Sequence, residues 1–118
     1  NVPGAEALAR TLAEDFAQGG RRFLLLGMQD GRVPVDVCRA LRVADYQLVV
    51  TCTAPTARGI AAEALAAAVR EAGGVADAVV DVEAAIDHLL SQADDDDLIV
   101  VTGTNPVVGC VRAIVDEF

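Results

Sequence analysis

Apolar residues change period several times along the chain, and each change marks an element. Ala5, Leu8, Ala9, Leu12 and Phe16 recur at helical spacing after Pro3-Gly4, which predicts a first helix ended by Gly19-Gly20. Residues 22–28 form a short, continuous apolar run that reads as a buried strand. A loop over 27–34 and a short helix over 35–41 follow, and the β-branched stretch 46–51 predicts a second strand. After a loop over 53–59 comes an Ala-rich helix over 60–72, stopped by Gly73-Gly74. A weaker third strand over 78–81 leads, with Asp81 as its N-cap, into a helix through Ile86, Leu89 and Leu90 to about Gln92. The run from Asp94 to Asp97 reads as a solvated turn, since a calcium loop needs spaced ligands and a glycine bend. A fourth strand over 98–102, a turn over 103–106 and a last helix to Phe118 complete the chain.

Short strands alternating with helices across short loops are the mark of right-handed βαβ units. The expected fold is α/β: a Rossmann-like three-layer sandwich, with a mostly parallel sheet of four or more strands and helices on both faces. The 118 residues make one domain. The chain opens with a helix and with Asn1 rather than methionine, so we expect it to be cut from a longer protein, with a further strand just upstream.

Composition narrows the function classes. The chain is 53% hydrophobic with a mean hydropathy of +0.41. No apolar run approaches the ~18–20 residues of a membrane-spanning helix. The excess therefore belongs to buried strands and Ala-rich helices. A net charge of −9 argues against nucleic acid and against an anionic membrane surface. All nine basic residues are arginine, which excludes a phosphate-loop lysine or a Schiff-base lysine within the chain. The lack of lysine and wealth of alanine suggest a GC-rich bacterial genome. Cys38, Cys52 and Cys110 are odd in number and far apart, as expected of free thiols in a reducing cytoplasm. Neither a signal peptide nor a metal-ligand motif is evident.

In an open α/β sheet, ligands bind beyond the carboxyl ends of the strands. The predicted order brings Asp30, Arg32, Arg58, Thr104 and Asn105 to that edge. Two arginines there can hold carboxylate or phosphate groups by paired hydrogen bonds, although loop arginines are commonly just solvated. Pro106 suits the first position of a helix capped by Asn105 or Thr104. Such a helix start attracts an anion, and ordinary capping accounts for the same residues. The only histidine, His88, falls in mid-helix, and no dinucleotide fingerprint or catalytic triad can be assembled. The chain lacks the equipment for a complete reaction, so no catalytic residue is assigned to it.

Four segments, in order along nearly the whole chain, resemble the folylpolyglutamate synthases of the Mur ligase superfamily. Asn1-Val2-Pro3-Gly4-Ala5 is similar to the end of their Asp-Gly-Ala-His-Asn-Pro segment. Gly27-Met28 after an apolar strand looks like their Gly-Met-x-x-Asp-Lys-Asp segment. Ala57-Arg58-Gly59 before Ala62-Glu63-Ala64-Leu65 resembles their Pro-Arg-Ala segment and following helix. Thr102-Gly103-Thr104 with Val107-Val108-Gly109-Cys110-Val111-Arg112 resembles their closing Thr-Gly-Ser-Leu-Tyr-Leu-Val-Gly-Glu-Val-Arg. There are departures: Arg32-Val33 stands in place of Lys-Asp, Thr104 in place of serine, Asn105-Pro106 in place of Leu-Tyr and Cys110 in place of glutamate.

The resemblance implies the C-terminal, glutamate-ligase domain of an ATP-dependent amide ligase of folate biosynthesis and one-carbon metabolism. In such enzymes ATP and Mg²⁺ convert the carboxylate of a folate or dihydropteroate into an acyl phosphate, which the amine of L-glutamate attacks. Nucleotide and metal belong to the preceding central domain, and the C-terminal domain closes over it. On this basis Asn1 would line the nucleotide side. Thr104 would bond glutamate or hold its turn. Arg32 and Arg58 would neutralise phosphate or glutamate carboxylates, and Arg112 would pack. A dihydrofolate synthase activity fits the same resemblance. Two other readings are a different Mur-type amino-acid ligase and a non-catalytic α/β small-molecule-binding module.

Overall fold

The computed structural model describes residues 21–94 and 97–103. The predicted first helix, the turn after Gly103 and the predicted last helix lie outside these residues. Strand β1 is Arg22–Gly27, followed by helix α1 (Pro34–Leu41) and a single 3₁₀ turn (Val43–Asp45). Strand β2 is Leu48–Thr51, helix α2 is Ala62–Glu71 and strand β3 is Ala76–Ala78. Helix α3 (Val82–Gln92) and strand β4 (Leu98–Gly103) complete the described part. The described strands pair in parallel, in the order β3-β2-β1-β4. The expected α/β architecture, with a parallel sheet and helices on both faces, is therefore present.

Strand β1 is central and buried on both sides, which is why its sequence is continuously apolar instead of alternating. Leu24 and Leu26 join Val49, Leu41, Leu65 and Val69 in a core beneath α1 and α2. Phe23 and Leu25 join Leu48, Val50, Val82, Ile86 and Leu89 in a second core beneath α3. The register explains this division, because Phe23 lies beside Leu48, Leu24 beside Val49 and Leu25 beside Val50. Neighbouring residues in the sheet thus share a face. Among the described residues, no helix is long and apolar enough to cross a membrane.

Three expectations need correction. The third strand was expected over 78–81 but runs Ala76–Ala78, with buried Ala76 beside Val49. Alanine has little strand propensity, so only the valines that follow looked extended. Val79 and Val80 still bond to the end of β2, through Val79 N–H to Thr51 O (2.8 Å) and Thr53 N–H to Val80 O (3.0 Å). Helix α2 starts at Ala62 rather than residue 60, because Ile60 N–H is drawn to Met28 O at 2.8 Å.

The aspartate run is the third correction, because it is not merely a solvated turn. The Asp97 side chain is only 5% exposed. It accepts the Arg21 amide (2.9 Å), the Arg21 guanidinium (2.9 Å) and the Asp94 amide (2.8 Å). Leu98 N–H donates to Arg21 O at 3.0 Å, so this clamp sets the start of β4 against the start of β1.

Candidate functional site

The sheet order places a topological switch point between β1 and β4, where successive connections leave in opposite directions. A crevice at such a point is the usual ligand site of an open α/β sheet. β1 ends at Gly27 directly beside Gly103, the last residue of β4. The loop after β1 carries Asp30 and Arg32, both exposed. Thr104 and Asn105 follow Gly103 in sequence and lie, like Asn1, outside the described residues.

On the other side of β1, the loops after β1 and β2 are joined. Gln29 and Gly59 form an antiparallel bridge, flanked by Asp30 N–H to Arg58 O (2.8 Å) and Ile60 N–H to Met28 O (2.8 Å). Arg58 reinforces the join with Nε to Asp30 Oδ1 (2.8 Å) and Nη2 to Asp30 O (2.9 Å). A glycine shapes each of these loops. A Cβ on Gly59 would lie 2.3 Å from Ala54 O. Gly31 has φ +112, a region that side-chain-bearing residues rarely adopt. The structure therefore brings Asp30, Arg32 and Arg58 to one edge, as the element order predicted. It also pairs Asp30 with Arg58, which the sequence did not reveal. Across a sequence separation of 28 no local pattern signals that pairing.

Beneath the edge, the end of β2 is tied to the start of α2. Buried Thr51 donates its hydroxyl to Ala62 O at 2.7 Å, and Thr53 Oγ1 accepts Ala62 N–H at 3.0 Å. Sequence reasoning missed both threonines, although a Thr-x-Thr pair at a strand end just before a proline loop is a readable hint. Asp81 does cap α3, accepting Ala84 N–H at 3.0 Å.

The other reactive groups are paired or buried. His88 pairs with Asp77 at 2.8 Å, in mid-helix and mid-strand, away from the carboxyl edge. Cys38 and Cys52 are buried, and burial pushes the Cys38 thiol up to about 11, so it is no nucleophile at neutral pH. Among the described residues, no group of three or more His, Cys, Asp or Glu side chains could hold a metal ion. What the edge offers chemically is hydrogen bonding and the charge of Arg32, since Arg58 is paired with Asp30.

Residues 1–105 match the family described as Mur ligase, glutamate ligase domain. No curated protein matches the sequence. Among solved structures, folylpolyglutamate synthase of Mycobacterium tuberculosis with ADP and AMPPCP is similar over 97% of this chain, at 29% identity and a TM-score of 0.83. FolC of E. coli with DHPP and ADP is similar over 99% of this chain, at 22% identity and a TM-score of 0.85. The bifunctional folylpolyglutamate synthase/dihydrofolate synthase of Yersinia pestis, with AMPPNP and a Mn ion, is similar over 98%, at 22% identity and a TM-score of 0.79. In each case this chain spans only 27% of the solved one.

Proposed function

The chain belongs to the family of Mur ligase glutamate ligase domains, and from that premise we propose that it is the C-terminal domain of an ATP-dependent ligase joining L-glutamate to a folate or dihydropteroate. The observation that carries this reading is the likeness, over 97% of the chain and at 29% identity, to a folylpolyglutamate synthase solved with ADP and AMPPCP. The reading makes residues 1–118 one domain of a longer bacterial, cytoplasmic protein.

With no lysine in the chain and no metal-ligand cluster among the described residues, ATP and Mg²⁺ are assigned to a central domain upstream. There they would supply the phosphoryl group that activates the carboxylate. This chain then contributes charge and closure from its strand ends. Arg32, exposed on the loop after β1, faces developing negative charge on phosphate or on the glutamate carboxylates. Asn1 lines the nucleotide side. Thr104 bonds glutamate, and Asn105 joins it in binding substrate or nucleotide. Asp30 and Arg58 complete the edge. Closure over the central domain excludes water, which protects an acyl phosphate from hydrolysis.

The test is ADP release by the full-length parent, supplied with L-glutamate and either dihydropteroate or a reduced folate. Release that needs both substrates, and falls at least tenfold (~1.4 kcal/mol) in Arg32→Ala or Thr104→Ala, is the expected result. A folded parent that releases no ADP in response to these substrates refutes the folate reading. It would leave another Mur-type amino-acid ligase or a binding module.

A further inference from the structure

We propose that Arg58 is a positioning residue, whose pairing with Asp30 zips the loops after β1 and β2 together and so fixes the course of the loop that carries Arg32. This rests on the ligase reading for its consequence but not for its geometry. Both partners are highly exposed, at 65% and 66% for the side chains of Arg58 and Asp30. An ion pair so exposed adds little to stability. Yet Arg58 makes two directed bonds, one to the Asp30 carboxylate and one to the Asp30 carbonyl, across a short antiparallel ladder of main-chain bonds. Its Nη2 also lies 3.4 Å from where a Gly31 Cβ would be, so the guanidinium packs directly over the turn that leads to Arg32.

A guanidinium committed in this way constrains the loop instead of reaching out for an anion. Joining the β1 and β2 loops closes that side of β1 and limits the paths open to the Arg32 loop. Orientation of this kind costs little free energy to maintain, but it governs how well a charged group meets its ligand. A lysine cannot replace it, since a single ammonium lacks the rigid fork that spans carboxylate and carbonyl.

The experiment uses the full-length parent with Arg58→Ala, Arg58→Lys, Asp30→Ala and the Arg58→Ala/Asp30→Ala pair. Two quantities are read: hydrogen exchange at the Asp30 and Ile60 amides, and KM and kcat for L-glutamate from ADP release. Positioning predicts faster exchange at both amides in each single variant, with the melting temperature moved by less than about 3 °C. It predicts a rise of about tenfold in KM for L-glutamate in each single variant, with kcat within about threefold. The double variant is no worse than the worse single one, and Arg58→Lys gives no rescue. A large loss in Arg58→Ala beside a wild-type Asp30→Ala overturns the proposal and makes Arg58 a direct ligand contact. If the wild-type parent shows no glutamate-dependent turnover, the ligase reading fails. Exchange then decides the clasp alone: unchanged protection in Arg58→Ala overturns it, and lost protection in both single variants upholds it.

Discussion

Asp97 shows how far one residue's environment can differ from its neighbours'. In sequence it is the last of four identical acids. In the fold its carboxyl is held below the usual range, first by the Asp94 amide and then by the Arg21 guanidinium. A carboxyl depressed in the folded state stabilises the fold at pH above its unfolded value, about 4. That contribution fades as pH falls through the unfolded and then the folded value. Asp97→Asn should therefore lower the melting temperature at pH 7, and the difference from wild type should shrink progressively below about pH 4. Thermal melts across pH 2–7 (roughly) check this. A constant gap at every pH would mean that geometry, not charge, carries the clamp. Arg58 and Asp30 illustrate the converse case. Their types marked them as candidates, but that each is the other's partner depends on two loops meeting in space.

Elements were legible where local signals agreed. The apolar run of β1, the alanine face of α2 with its Gly73-Gly74 stop, and the Asp81 cap of α3 all appear close to where the pattern puts them. Boundaries moved where long-range pairing outweighed local preference. Ile60 has a good place in the helical pattern, but its amide serves Met28 instead. Ala76 has poor strand propensity, yet the register with Val49 makes it the first residue of β3. The cap provides an element-scale prediction. Asp81→Ala removes the acceptor of Ala84 N–H and should destabilise the domain by about 1 kcal/mol, read as a lower urea midpoint at unchanged slope.

For the molecule as a whole, one strand serves two cores. Leu24 and Leu25 are adjacent in sequence and both fully buried, one beneath α1 and α2, the other beneath α3. A three-layer sandwich makes both essential, whereas a sheet covered on one face would leave one of them solvated. Leu24→Ala and Leu25→Ala should each cost about 2–5 kcal/mol by urea denaturation. A cost below about 1 kcal/mol for either would be incompatible with two packed faces.

Apart from the 3₁₀ turn at Val43–Asp45, the apolar pattern with its turn and cap residues determined the order and kind of the described elements, their parallel arrangement and the layer count. These follow from short-range rules about which residues turn, cap and bury. The same rules brought Asp30, Arg32 and Arg58 to one edge, because every βα loop of a parallel sheet emerges at the carboxyl ends of the strands. The tertiary structure alone decided three things: the strand order β3-β2-β1-β4, the clamp of Arg21 on Asp97 and the clasp of Arg58 on Asp30. Each joins residues far apart in the chain. Such contacts form only once burial of the two cores has brought their loops together, so no local pattern of residue types encodes them.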